Sequence, residues 1–216
     1  MAKSKSTQIS QDTSIEEISE VSNGVEGVYT LKEPLSQDSK LQAITTLDGV
    51  SYYYGVPDPE IDKCEEVEVT KEYLESKISE AKQLKIAELN ATCDKLLLSF
   101  KSSATGAERI YDSEVEDQLN ILALVAAGVD SYFRCALPDG PKENVKHTAA
   151  QMKQVFADGL KYKSVIIGIC GILKAFVETQ SDIDKIRTIN WTWFNTETQT
   201  IQDLYDFQRA NDARTQ

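Results

Sequence analysis

Histidine is nearly missing from this 216-residue chain: His147 is the only one. A histidine–carboxylate or cysteine–histidine catalytic pair would have to be built around it. It falls just before Thr148, a helix-capping residue type, and reads as a solvated loop side chain. Cysteine is scarce as well. Cys64, Cys93, Cys135 and Cys170 stand far apart, with no two at the spacing of a zinc knuckle or a redox pair. They read as free thiols made in a reducing compartment, with Cys93 and Cys170 as small core residues. Long apolar runs are absent too. The longest, Val165 to Leu173, lies between Lys163 and Lys174, whereas a bilayer-crossing helix needs about 20 residues. Met1 to Ser6 hold no apolar signal core, so synthesis in a cytoplasm is expected.

Positive charge is in deficit: 23 Lys and Arg face 35 Asp and Glu, a net charge of −12. Such a surface repels phosphate backbones and anionic lipid, which argues against nucleic acid and membranes as partners. The ten glycines form no phosphate-cradling loop, and Gly168 to Gly171 sit inside an apolar helical stretch rather than after a strand. Two acidic clusters, Glu65/Glu66/Glu68 and Asp182/Asp184, lack the alternating Asp/Asn/Gly pattern of a calcium loop and read as solvated faces. The expectation is therefore no catalytic residue, no metal and no cofactor.

What is present is a globular share of hydrophobic residues, 41%, enough to build a core. It is distributed in four parts. Residues 1–24 are a flexible polar tail. Within it, Thr13 and Ser14 precede Glu16 and Glu17, with Ile15, Ile18 and Val21 at steps of three. This is either a frayed helical turn or a short helix that docks on a partner. Residues 25–70 form a small β region. Asp48-Gly49 is a two-residue hairpin turn between Leu41–Leu47 and Val50–Val56. Alternation puts Tyr53 on the face opposite Tyr52 and Tyr54. Val56 to Pro59 end that arm, and Glu65 to Val69 add a short strand.

Residues 71–190 read as a helical bundle. Thr70 caps a helix from about Lys71 to Ser102, whose Ile86, Leu89, Cys93, Leu96 and Phe100 make an a/d seam. That seam either packs within the chain or joins copies as a short coiled coil. Asp112 and Ser113 cap a second helix from Glu114 to about Leu137, followed by the loop Pro138 to Pro141. Thr148 with Gln151 opens a third, running to Thr179. Gly159, Gly168 and Gly171 inside it each cost about 1 kcal/mol relative to alanine, and close helix approach is the expected reason. A short turn from Ser181 or Asp182 to Ile189 follows. Residues 191–216 hold an extended aromatic cluster, Trp191 to Phe194, and a last helix capped by Asn195 or Thr196, with Ile201, Leu204 and Tyr205 on one face. The fold class is α+β, mainly α: a small N-terminal β-hairpin region followed by a helical bundle.

The segment from Ala87 to Trp191 resembles an uncharacterised helical domain of phage and prophage tail-fibre and tail-fibre-assembly proteins. The features that carry the resemblance begin with Ile86 to Asn90, Phe100 and Glu108 to Ser113, the last leading into an alanine-rich helix. Val145 to Met152 follow, then a long helix ending at Ile172 to Ala175, then Asp182 to Ile186. They cover roughly half of the chain. The resemblance implies a non-enzymatic tail protein in the virion, linking fibre or spike to the baseplate, with fibre or baseplate proteins as partners. The alternative is a fibre-assembly chaperone that leaves before the virion matures. Partner contacts of this kind rest on a few aromatic anchors. The candidates are Tyr52, Tyr53, Tyr54, Trp191, Trp193 and Phe194, with Ile15 and Ile18 in the tail. The same aromatics could instead fill the chain's own core.

Overall fold

The computed structural model describes residues 25–31, 35, 37–58 and 63–212. The proposed tail helix around Ile15 and Ile18 lies outside them. Four strands come first: β1 (Gly27–Leu31), β2 (Gln42–Leu47), β3 (Val50–Gly55) and β4 (Cys64–Glu66). They pair in the order β2-β3-β1-β4, all antiparallel. Helix α1 (Lys71–Leu96) leads to β5 (Ser99–Ser102) and β6 (Arg109–Asp112), then α2 (Val115–Ala127), β7 (Ser131–Ala136) and β8 (Lys142–His147). These strands make a second antiparallel sheet in the order β5-β6-β7-β8. Helix α3 (Ala149–Thr179), the short α4 (Ile183–Thr188), a 3-10 turn (Trp191–Trp193) and α5 (Ile201–Asp212) complete the described chain.

The mainly helical bundle is thus corrected. With about half of it helical and 22% in strands, split between two four-stranded sheets, this is a mixed α/β fold. Two stretches account for the difference. In sequence the helical spacing of α1 continues into Phe100, but α1 ends at Leu96, and in Ser99–Ser102 the period changes from 3.6 to 2: Phe100 and Ser102 are buried and Lys101 is exposed. The second helix stops at Gly128, whose φ of 64° is the left-handed conformation that closes helices. Beyond it, Phe133 and Cys135 turn inward while Tyr132 and Arg134 face out, a strand pattern. Pro138 to Pro141 is then the loop of the β7–β8 hairpin.

Several local signals act as read. Asp48 and Gly49 both have positive φ, 52° and 80°, the type I′ geometry whose twist suits a tight hairpin. Thr70 caps α1 through Tyr73 N–H. Thr148 and Gln151 cap α3 reciprocally, each side chain accepting the other's backbone N–H at 3.2 and 2.8 Å. Other boundaries move. Glu114, with Asp117, caps α2 in place of Asp112 or Ser113. Thr200 and Asp203 do the same for α5 in place of Asn195 or Thr196. Trp191 to Trp193 coil into a 3-10 turn rather than extending.

Helix α3 serves two cores. Its first half places Met152 and Val155 among Phe100, Tyr111, Ile121, Phe133 and Cys135, between α2 and the second sheet. Its second half carries Val165, Ile169, Leu173 and Val177 into a cluster with Leu89 of α1, Ile186 and Ile189 from α4 and its end, Phe194 and Leu204. The α1 seam is consumed there: Leu89 and Cys93 are buried against α3, and Phe100 lies in the other core.

Close approach explains two of the three α3 glycines. A Cβ on Gly159 would come within 2.9 Å of the Phe100 ring, and one on Gly168 within 2.7 Å of Leu204 Cδ1, whereas one on Gly171 would meet nothing within 4 Å. Gly159→Ala is therefore expected to destabilise the protein by about 1–3 kcal/mol, because the Phe100 ring must move in a packed core. Gly171→Ala is expected to stabilise it by up to about 1 kcal/mol through helix propensity alone. Urea unfolding midpoints check both, and equal shifts of the same sign would contradict this packing.

Candidate partner interface

The two aromatic segments differ in how much surface they leave. In the β1–β3 pair, Tyr29 stands opposite Tyr53, Val28 opposite Tyr54 and Thr30 opposite Tyr52. All three tyrosines of β3 are half-buried. Lys71 sits 4.8 Å above the Tyr54 ring, a cation–π contact that covers it from the α1 side. This stretch contributes as much to sheet docking as to open surface.

At the other segment the roles divide within four residues. Phe194 is 8% exposed and belongs to the core with Leu173 and Leu204. Trp191 is half-buried against that core and against the Cys93–Ile166–Cys170 cluster. Trp193 is 46% exposed. It is held edge-on against Phe176 at 5.7 Å, and Phe207 of α5 packs on the same Phe176 at 5.8 Å and on Phe194 at 5.0 Å. Such edge-to-face pairs fix ring orientation beyond simple burial. Trp193 is thus a preoriented ring projecting from an aromatic base, with Phe207, Tyr205 and Ile201 of α5 also exposed. The sequence places the C-terminal segment at a partner interface without singling out any α5 side chain, because only the Trp191–Phe194 cluster is rich in aromatics.

A clasp joins the two segments. Asp184, at the start of α4, accepts hydrogen bonds from the N–H groups of Asp48 and Gly49 at 3.1 and 2.8 Å. Arg187 adds ion pairs to Asp48 and Asp184. Ile183 N–H donates to Thr45 of β2. The hairpin bearing Tyr52 to Tyr54 is thereby fastened to the helix that leads into Trp191. Asp184 is thus not the solvated face its sequence suggests: the turn presents two unpaired backbone donors, and a carboxylate satisfies both.

His147 also departs from expectation. It is fully buried at the end of β8. Its Nδ1 lies 2.8 Å from the Val145 carbonyl, which can only accept, so Nδ1 carries the proton and Nε2 accepts from the Tyr111 hydroxyl at 2.9 Å. Tyr111 stacks on Phe100 and Phe133, and burial pushes its hydroxyl pKa upward. The pair is a satisfied polar contact inside an aromatic core. Burial, with Cys170 alongside, pushes the Cys93 thiol up to about 11, which keeps it protonated. No disulfide links any of the four cysteines. Among the described residues no cluster of three or more His, Cys, Asp or Glu is placed to hold a metal. No described helix is long and apolar enough to cross a membrane.

A cleft of about 660 Å³ lies between β5, α3 and the 196–199 loop. Within it Lys101 pairs with Glu108 and Glu197, Asp158 accepts hydrogen bonds from Ser102 and Gln154, and Lys161 also lines the cleft. No protein-family model matches the chain, and neither curated proteins nor solved structures give a match.

Two outcomes are expected. Tyr111→Phe leaves Nε2 of His147 buried without a donor and should cost about 1–3 kcal/mol, while adding His147→Leu should recover part of the loss. Urea unfolding of the single and double variants measures this, and strict additivity would contradict the buried pair. The second concerns acid. The N–H donors of Gly49 and Asp48, the former contributing most, and the nearby Arg187 hold the Asp184 carboxyl below its usual range. A carboxyl depressed on folding stabilises above its unfolded pKa and loses that contribution as pH falls through the folded value. The Asp48 and Gly49 amides should therefore lose protection, measured against their intrinsic exchange rates, as pH falls below the usual carboxylate range of about 4. In Asp184→Asn they should be weakly protected at every pH, and amide exchange followed by NMR reads both.

Proposed function

We propose that this chain is a non-enzymatic structural protein of a bacteriophage tail, linking fibre or spike to the baseplate or tail through protein–protein contacts. The observation that carries the reading is Trp193, an exposed indole held edge-on by Phe176, which the partly exposed Phe207 of α5 also contacts. A large, preoriented aromatic beside a rigid core is the type of group that dominates binding energy at protein interfaces. The resemblance of Ala87–Trp191 to a tail-associated domain supplies the setting, and the net charge of −12 favours a protein partner over nucleic acid. The clasp supports a mounting role, since it keeps the hairpin and the Trp193 corner in one fixed relation.

Trp193→Ala is expected to weaken assembly with the fibre or baseplate partner by at least tenfold, about 1.4 kcal/mol, with unchanged helicity. Phe194→Ala should instead lower thermal stability, by about 3–5 kcal/mol, as deletion of a buried phenylalanine does. Circular dichroism and pull-down of particle components separate the two. Quantitative mass spectrometry on gradient-purified phage particles tests the setting. A fixed copy number per particle is expected. Absence from particles, with the chain bound to fibre protein in infected lysate, would replace this reading with an assembly chaperone.

A further inference from the structure

Helix α2 carries an apolar stripe that none of the described residues covers. Val115, Leu119, Leu122 and Ala126, with Val129 just beyond the helix, follow at steps of four, three, four and three, and all are exposed. The four large ones are between 48% and 68% exposed. The opposite face is used internally, with Ile121 buried and Leu124 and Val125 packed on the same core. From Ile121 to Ala127 every residue is apolar. A helix that is apolar all round belongs inside a structure, yet α2 is covered on one side only.

We infer that α2 is a self-association surface: two copies of this chain pair their α2 stripes antiparallel across a two-fold axis. Three observations select a second copy in this orientation. The alternating three–four spacing is the pattern by which one helix interlocks with another of the same kind, and a two-fold interface needs only one self-complementary patch. Beside the stripe runs a groove between α2 and α3, lined by Gln118, Ile121, Phe156, Gly159, Leu160 and Lys163. Leu160 is itself exposed and extends the apolar patch onto α3. A leucine from a facing helix fits such a groove as a knob.

Charge decides the direction. A parallel pair would align Glu114, Glu116 and Asp117 of both copies. The antiparallel pair separates them and brings the carbonyl-rich end of one α2 towards the amino end of the other. Lys163 lines the groove with Ser113 at that amino end. Burial lowers its pKa, and among the described residues no carboxylate pairs with it. A helix C-terminus is a fitting neighbour for such a cation.

The stripe presents on the order of 400 Å² of apolar surface per copy, within the range of functional patches. Two copies with their polar rims bury about 1,000 Å², the small end of specific interfaces, which implies a reversible dimer. Sedimentation velocity on the full chain should show a monomer–dimer transition between about 1 and 200 µM, the range expected for such an interface. Leu119→Lys and Leu122→Glu should each abolish it with unchanged circular dichroism. Leu84→Lys, on the exposed face of α1, should leave it intact. An equimolar mixture of Leu119→Lys with Leu122→Glu should regain a dimer, because one antiparallel register sets residue 119 of one copy against 122 of the other. A wild-type chain that stays monomeric throughout would overturn the proposal and leave the stripe to a different protein. Dimerisation that survives Leu119→Lys would move the interface elsewhere, and a mixture that stays monomeric would exclude the antiparallel register.

Discussion

Everything else in the molecule is arranged around one requirement: α3 must fill two cores with a single unbroken helix. At 1.5 Å per residue its 31 residues reach about 46 Å. Met152 and Val155 lie in one cluster, and Ile169, Leu173 and Val177 in the other. The glycines at 159 and 168 weaken the helix locally, yet they let Phe100 and Leu204 approach its backbone. The loss in propensity, about 1 kcal/mol each, is offset by burying a ring and a leucine against the helix surface, each contributing about 1.5–3 kcal/mol. A helix so used cannot kink or slip without opening a core. The positions of the second sheet and of the α1–α4–α5 layer follow from it.

That dependence explains which elements the sequence discloses. Signals made by a few adjacent residues were legible: the Asp48-Gly49 turn, the Thr148–Gln151 capping box and the extent of α3 itself. Each depends on local backbone geometry that no distant contact needs to supply. The strands around the helices were not. Phe100 continues the spacing of Leu89, Cys93 and Leu96, so a helical stripe and a two-residue alternation coincide for one residue. The next buried position, Ser102, is polar and hides the change of period. Gly128 was the available stop signal for α2, but the apolar residues on both sides masked it. His147 looked solvated because a lone histidine before a cap gives no hint of its partner. That partner, Tyr111, is 36 residues away and is brought close only by the sheet.

The interaction surface was legible in part for the same reason. Aromatic clustering marks residues that avoid water, but not which of them reaches a core first. In Trp191 to Phe194 the 3-10 turn sorts them by rotation: Phe194 is buried, Trp191 is half-covered and Trp193 is left outside. Tyr52 to Tyr54 are sorted less sharply, since strands on both sides and Lys71 above take a share of each ring. The α1 seam ends up inside the chain, and the exposed three–four stripe lies on α2, hidden in sequence by the reading of that helix as part of a bundle. The proposed tail role and the self-association surface therefore draw on separate faces.

The clasp between Asp184 and the β2–β3 turn also bears on chemical ageing. An Asp-Gly step is prone to close into a succinimide: the glycine nitrogen attacks the preceding side-chain carboxyl, water leaves, and hydrolysis of the ring can insert an extra backbone carbon. At Asp48-Gly49 both reacting groups are already engaged. The Gly49 N–H points at Asp184 Oδ2, and the Asp48 carboxylate is bound to Arg187. The turn that folds most readily from its sequence is thus shielded from its own characteristic covalent damage by a residue 136 positions further along the chain.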